Sequence, residues 1–151
     1  MTRLECQSKY GEIKNGKWPD ELKHMCFVVV PKEIRQICLN SLSQQPWSRV
    51  YCNKDMARPL QRALNNLVLR GVYTELKTFD GCFNIRDTRG EKGKLSAHAW
   101  GGAIDLNTKE NPLGGPCRLS KEFIACFTDE GFVHGMSFHR EDPMHFSWFG
   151  F

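Results

Sequence analysis

Three potential metal ligands, His98, Asp105 and His145, lie in segments whose patterns could bring them together. Residues 102–107 alternate between small or polar and aliphatic side chains, which predicts a strand with Asp105 on its polar face. Residues 144–148 alternate in the same way and place His145 opposite three large apolar side chains. The two glycines between His98 and Asp105 can turn the chain, so that His98, on a loop, comes over the face that bears Asp105.

Two imidazoles and one carboxylate suit a single zinc ion, and three protein ligands leave a fourth position for water, as catalytic zinc sites require. Hydrolysis also needs a proton acceptor beside that water. Asp142, three residues before His145, is the natural general base, and Glu141 is the alternative. An isolated histidine is more often a satisfied or solvated side chain than a ligand. We apply that interpretation to the remaining histidines, which are His24, His134 and His139.

Apolar residues at helical spacing predict three helices that would support these segments. Asp55 and Ser120 are the expected N-caps of the second and third helix, and Pro59 is expected near the first turn of the second. We interpret the apolar stripes as core rather than as cofactor-binding surfaces. With their caps and stops, the helices extend from Pro31 to Gln45, from Asp55 to Gly71 and from Ser120 to Gly131.

Strands are expected over 27–30 and 72–79, in addition to the two segments that carry Asp105 and His145. Asp80–Gly81 has turn chemistry, and 86–94 reads as a polar loop. The chain before Pro19 reads as polar and irregular. Helices and short strands together predict an α+β layer fold.

The composition favours one soluble globular domain. The chain has 151 residues, of which 40% are hydrophobic and 25% charged, and its formal net charge is +4. The basic residues are scattered, so the charge favours anionic partners only weakly, and nucleic acid is not an expected partner. No segment approaches the length of a membrane span, so stable insertion into a bilayer is not expected. We expect one domain over 1–151, in which 1–30 form an N-terminal extension of unclear role.

The seven cysteines are odd in number and form no C-x-x-C pair that could hold a structural zinc. The first ten residues lack the apolar core of a signal peptide. We therefore expect synthesis in a reducing cytosol, with free thiols acting as small buried apolar groups.

Two segments carry a family resemblance. Ser96–Asp105 has the pattern S-x-H-x-x-G-x-A-x-D, and Asp142–His145 has the pattern [DE]-x-x-H. Both resemble the signatures of the D-alanyl-D-alanine zinc peptidases, which include carboxypeptidases, dipeptidases and the L-alanyl-D-glutamate endopeptidases of phage endolysins. The resemblance is strongest from Arg86 to Trp148 and reaches back more loosely to Pro31. It implies a hedgehog-like fold, a small antiparallel sheet with helices packed on it.

The resemblance implies a role for each matched residue. His98, Asp105 and His145 would bind one Zn²⁺ ion, and Asp142 would be the catalytic acid and base. Arg86 would hold substrate and stabilise developing negative charge, although the nearby Arg89 competes for that assignment, and Ser96 would line the cleft. Many members carry glutamate in place of Asp142, so the shorter side chain here requires a closer approach of the backbone to the metal.

The function that this resemblance implies is hydrolysis of peptidoglycan stem peptides. We expect a monomeric L-Ala-D-Glu endopeptidase of a phage or prophage endolysin, made in the host cytoplasm without a signal peptide and acting on the wall after release. One alternative is a D-Ala-D-Ala carboxypeptidase or dipeptidase. Another is a non-catalytic zinc-binding module on the same scaffold.

Overall fold

The computed structural model describes residues 1–151 and contains five α-helices and seven β-strands. No helix has both the length and the apolar character needed to cross a bilayer. The helices are α1 (Arg3–Tyr10), α2 (Glu21–His24), α3 (Lys32–Arg35), α4 (Lys54–Leu69) and α5 (Lys121–Thr128). The strands are β1 (Met25–Val29), β2 (Leu39–Asn40), β3 (Arg49–Asn53), β4 (Thr78–Gly81), β5 (Ala103–Leu106), β6 (Val133–His134) and β7 (His145–Ser147).

The strands form two sheets. β1 and β3 make a two-stranded antiparallel sheet, and the other strands make a five-stranded sheet in the order β2-β4-β5-β7-β6. Within the larger sheet only β2 and β4 run parallel. The predicted α+β class, with an antiparallel sheet and helices, is confirmed. The larger sheet differs from the expectation in being mixed, because β2 joins its edge in the parallel sense.

Two hydrophobic clusters lie on opposite faces of β5. The larger contains 23 buried residues and packs α4 and α5 against Ile104 and Phe146. The smaller contains nine buried residues, including Tyr10 of α1, Trp100 and Ala103. Successive residues of a strand point to opposite faces, so β5 joins both clusters at its centre. The strand that carries Asp105 is therefore held from both sides.

The predicted helix from Pro31 to Gln45 is wrong after its first turn. α3 ends at Arg35, and the Leu39 backbone N–H donates to the Lys77 carbonyl, which draws the chain into the sheet. The Asn40 side chain then accepts hydrogen bonds from the backbone of Leu42 and Ser43 and closes a turn. Leu42, part of the predicted stripe, is 95% exposed.

The predicted strand over 72–79 is also largely wrong. Tyr73–Glu75 forms a 3₁₀ turn, and β4 contains only Thr78–Gly81. Asp80 and Gly81, expected in a turn, lie in the strand, where the Asp80 carboxylate accepts from the Thr108 backbone N–H at 2.9 Å. The register between β4 and β5 shifts between Phe79 and Gly81, so the strand is irregular where the turn was expected.

The expectation of an irregular start is wrong for α1. Thr2 and Glu5 form a capping box, in which each side chain bonds the other's backbone N–H. Cys6 and Tyr10 on this helix are buried in the smaller cluster. The N-terminal helix therefore contributes to the core.

The remaining element predictions need smaller changes. Asn53, not Asp55, caps α4 by accepting from the Asp55 backbone N–H, and Pro59 lies in the second turn. Ser120 caps α5 as predicted. The strands around Asp105 and His145 are confirmed as β5 and β7.

Candidate metal centre

The elements that carry the three predicted ligands meet at the centre of the larger sheet. Asp105 of β5 and His145 of β7 are directly paired in the antiparallel ladder, so their side chains project from the same face. His98 lies on the 3₁₀ turn Ala97–Trp100, which precedes β5. The strand pairing therefore supplies two of the groups, and the preceding turn supplies the third.

The turn that carries His98 is fixed at both ends. The Ser96 side chain caps it by accepting from the His98 backbone N–H at 3.3 Å. Gly101 ends it at φ +65°, and a Cβ there would lie 2.6 Å from the Met25 methyl carbon. Asn53 also donates from its side chain to the Trp100 carbonyl, which ties the turn to β3. Together these contacts fix where the His98 imidazole lies.

The ligand atoms of His98, Asp105 and His145 converge, all lying within 4.8 Å of one another. His98 Nε2 is 3.1 Å from Asp105 Oδ2 and 3.1 Å from His145 Nδ1. His145 Nδ1 is 2.9 Å from Asp105 Oδ1. The three residues are 2%, 8% and 5% exposed, respectively. A deeply buried group of two imidazoles and one carboxylate matches the donor set of catalytic zinc sites.

The hydrogen bond at His98 Nδ1 determines which nitrogen of the ring faces Asp105 and His145. His98 Nδ1 lies 2.7 Å from the Cys82 carbonyl, which can only accept, so the ring proton is at Nδ1. Nε2 is then the nitrogen that faces Asp105 and His145 and is available to a metal ion. A backbone carbonyl that orients a histidine in this way is a common outer contact of metal sites. The residues present therefore fit a zinc ion.

The Asp105 carboxylate is stabilised in its charged form. Burial alone would raise its pKa, but the two neighbouring imidazoles, through charge and hydrogen bonds, outweigh burial and bring the pKa well below its ordinary value. An ionised carboxylate is the form that binds a metal.

Asp142 lies at the edge of this group and keeps one carboxylate oxygen free. Its Oδ1 is buried and has no hydrogen-bond partner, which is rare for a buried polar atom. Burial raises the pKa of Asp142, and the charge of His145 offsets part of that rise. A partly desolvated carboxylate with an unpartnered oxygen is suited to accept a proton. The alternative base, Glu141, is exposed.

The backbone of Asp142 is held by residues that sequence reasoning did not select. The Asp142 N–H donates to the Gly135 carbonyl at 3.0 Å, and a Cβ on Gly135 would lie 2.1 Å from the Asp142 carbonyl oxygen. His134 is buried and its Nε2 donates to the Pro143 carbonyl at 2.7 Å. His134 is thus not one of the converging ligands, but it fixes the segment that leads to His145. In the sequence, the only indication of this arrangement was that a histidine, His134, is followed directly by a glycine.

A cleft of about 480 Å³ opens beside the metal ligands. Arg86, Ser96, Asp142 and His145 all line it, so the structure brings the predicted catalytic and substrate-binding residues to one place. His98 and Asp105 are not among the residues that line the cleft. The same cleft is also lined by three further arginines, Arg3, Arg89 and Arg140. Of these, only Arg89 was a candidate from the sequence.

Residues 89–148 match the protein family described as D-alanyl-D-alanine carboxypeptidase. The matched segment holds His98, Asp105, Asp142 and His145, covers less than half of the chain and excludes Arg86. No curated protein and no solved structure matches the chain. The resemblance seen in the two sequence motifs is confirmed. Together with the His-Asp-His group, the match supports a metallopeptidase.

Proposed function

We propose that the protein is a zinc-dependent peptidase that hydrolyses a bond in the stem peptides of peptidoglycan. The observation that carries this proposal is the buried convergence of His98, Asp105 and His145 beside the unpartnered oxygen of Asp142. These residues lie in the segment that matches a peptidase family. If these residues bound no metal and took part in no reaction, the burial of three ionisable side chains and one carboxylate oxygen would only lower the stability of the fold.

Each residue has a distinct task in this proposal. His98, Asp105 and His145 hold the zinc ion, which when bound supplies Lewis acidity at the scissile carbonyl and activates water. Asp142 accepts the proton of the attacking water at its free oxygen and delivers it to the leaving amine. Ser96 holds the turn that aims His98, in addition to lining the cleft.

Arg86 is proposed to bind substrate and to stabilise negative charge on the scissile carbonyl oxygen. It lines the cleft, and the one hydrogen bond of its side chain is to the Asp87 backbone carbonyl, so no acidic side chain neutralises it. A fixed cation that faces developing charge lowers the barrier because its interaction is strongest in the transition state.

The bond we propose is L-Ala-D-Glu, and the role is that of a phage or prophage endolysin. A net charge of +4 suits an anionic wall. This role implies synthesis in the host cytoplasm and action on the wall after release. A D-Ala-D-Ala carboxypeptidase is the second candidate, because the description of the matching family names that activity.

We further propose that residues 1–151 act as one catalytic domain and as a monomer. The single domain is supported by the sharing of β5 between the two clusters: Ala103 packs in the smaller and Ile104 in the larger.

Digestion of purified peptidoglycan by the zinc-loaded protein tests the proposal. Mass spectrometry of the released fragments identifies the bond: new N-terminal D-Glu indicates the endopeptidase, and loss of a terminal D-Ala indicates the carboxypeptidase. Chelation should abolish release, and added zinc should restore it. Bound zinc without any cleavage would instead indicate the non-catalytic module.

The variant Asp142→Ala separates proton transfer from metal binding. We expect zinc to stay bound, because Asp142 is not one of the three converging ligands, and kcat to fall by about 10²-fold or more. Zinc content by elemental analysis and kcat on muropeptides are the two measurements. Asp105→Ala is the matched carboxylate variant and should lose both. Full activity of Asp142→Ala would exclude the proposed base.

A further inference from the structure

We propose that Arg89 and Arg140 form a second carboxylate-binding subsite in the cleft, which makes the protein selective for stem peptides that carry a free carboxylate next to the scissile region. This inference rests on the proposed function and specifies its substrate. Neither residue lies in Ser96–Asp105 or Asp142–His145, and Arg89 is otherwise the alternative to Arg86 at the scissile carbonyl.

The two arginines are exposed neighbours in the lining of the cleft. Arg140 donates from Nη1 to the Arg89 backbone carbonyl at 3.4 Å, although 51 positions separate them. Both line the cleft that also contains Asp142 and His145, and the positive charge of Arg89 acts on the Asp142 carboxylate. An anionic group that binds these side chains within the cleft would therefore lie close to Asp142 and His145.

Two acidic side chains also line the cleft, Asp142, on which the charge of Arg89 acts, and Glu91. None of Arg86, Arg89 and Arg140 forms an ion pair with a carboxylate, whereas seven other pairs in the protein join Lys or Arg to Asp or Glu. Glu91 already pairs with Lys94 at 2.9 Å and with Arg3 at 4.0 Å. Cationic side chains that line one cleft repel each other, and a bound anion relieves that repulsion.

The number of free guanidinium groups points to more than one anionic group on the substrate. With Arg86 assigned to the scissile carbonyl, Arg89 and Arg140 remain for a group further along the peptide. A guanidinium binds a carboxylate through two parallel hydrogen bonds, which a carboxamide cannot reproduce. In a stem peptide the γ-linked D-Glu carries such a carboxylate on its α-carbon, directly after the L-Ala-D-Glu bond. Amidation of that group removes the charge.

Two synthetic peptides test the subsite: L-Ala-γ-D-Glu-L-Lys-D-Ala-D-Ala with the free α-carboxylate on D-Glu, and the same peptide with the α-carboxamide. Both contain both candidate bonds. We expect the zinc-loaded protein to cleave the free acid with a KM about tenfold lower at similar kcat, a difference of about 1.4 kcal/mol. Arg140→Gln should lose the preference, and Arg140→Lys should keep part of it because the charge remains.

Arg58→Gln is the matched control, because it removes the same charge from the exposed surface of α4, away from the cleft. Zinc content and the thermal midpoint of each variant show whether it is folded. Equal KM values for the two peptides in the unaltered protein would overturn the subsite. An equal loss on both peptides in Arg140→Gln would overturn it as well.

Binding separates failure of the subsite from failure of the proposed function. Calorimetric titration of both peptides into zinc-loaded Asp142→Ala, with and without Arg140→Gln, measures the preference without turnover. If neither peptide is cleaved by the unaltered protein but the free acid binds about tenfold more tightly, the proposed hydrolysis is wrong and the subsite stands. If cleavage occurs and binding shows no preference, the hydrolysis stands and the subsite is wrong.

Discussion

The His98 imidazole is oriented before any metal binds. Its Nδ1–H is committed to the Cys82 carbonyl at 2.7 Å, and the Ser96 side chain holds the backbone of the turn. Both contacts are made by groups that cannot bind the metal themselves from where they lie. The cost of ordering this ligand is therefore met by folding rather than by metal binding, which raises the affinity for the ion.

Ser96→Ala tests this arrangement. The change removes the cap of the 3₁₀ turn, so we expect a loss of about 1 kcal/mol of unfolding free energy and a fall of roughly tenfold in zinc affinity. Urea unfolding and competition with a chromophoric chelator measure the two effects. Ser96→Thr retains a hydroxyl and should behave like the unaltered protein. Unchanged zinc affinity in Ser96→Ala would show that the cap does not position His98.

The buried cysteines are expected to be unreactive in the folded protein. Burial raises the pKa of Cys38 and of Cys52 to about 12, so at pH 8 the thiolate is on the order of 10⁻⁴ of each. Cys26 and Cys117 are only half buried. Iodoacetamide at pH 8 should therefore modify these two first, and the other five only after denaturation, as measured by peptide mass spectrometry. Rapid labelling of Cys38 in the native protein would contradict this.

The convergence of His98, Asp105 and His145 was predictable from sequence, whereas the groups that hold these residues in place were not. Alternation in two short segments placed Asp105 and His145 on polar faces, and the structure pairs them directly. Gly135 and Arg140 carry no such signal. Gly135 matters through a close approach to the Asp142 backbone, and Arg140 through a contact with a residue 51 positions away. Neither a close backbone approach nor a contact between distant residues produces a periodic pattern in the sequence.

At the scale of the elements, α1 shows how a short helix gains its stability from tertiary contacts. An isolated helix of eight residues is marginal in water. Here the Tyr10 hydroxyl donates to Asp55 Oδ2 at 2.7 Å, at the start of α4, and the ring packs on Phe149 with centroids 5.4 Å apart. Lys9 pairs with the same carboxylate. The helix is thus attached to the first turn of α4.

Tyr10→Phe isolates the hydroxyl from the ring. It removes the hydrogen bond to Asp55 and keeps the buried ring, so we expect a loss of about 1 kcal/mol of unfolding free energy. Tyr10→Ala also removes the ring from a buried site and should cost about 3–5 kcal/mol. Tyr73→Phe is the control, because Tyr73 is half buried and no hydrogen bond involves its hydroxyl. Denaturant unfolding measures all three, and equal losses for Tyr10→Phe and Tyr10→Ala would contradict the account.

The elements that were predicted wrongly share a physical cause. Apolar spacing after Pro31 favours a helix, but the backbone of Leu39 pairs with the sheet and Asn40 closes a turn. A β-branched and aromatic run after Gly71 favours a strand, but Tyr73–Glu75 coils as a 3₁₀ turn. In both places hydrogen bonds to residues distant in the sequence outweigh intrinsic propensity. In the second, Asn107 donates to the Glu75 carbonyl and Ser120 donates to the Glu75 carboxylate. α4 and α5, whose stripes are continuous, were predicted well.

At the scale of the whole molecule, the metal site joins parts of the chain that pack separately. His98 follows Ala97 in the smaller cluster, whereas His145 precedes Phe146 in the larger cluster. Asp105 lies between them on the shared strand β5. An ion bound by all three would therefore connect the two clusters through side chains as well as through the sheet, so metal binding should stabilise the whole fold rather than one loop.

Zinc is expected to raise the stability of the entire protein. Binding to the folded state alone adds about 2.7 kcal/mol when free zinc is roughly 100 times Kd, which corresponds to a rise in Tm of roughly 5–10 °C for a chain of this length. Differential scanning calorimetry should show a single transition that shifts as a unit. Mg²⁺ at the same concentration should have little effect, because it prefers oxygen ligands and two of the three groups are imidazoles. His98→Gln should lose most of the shift, and an equal shift in that variant would place the stabilising zinc elsewhere.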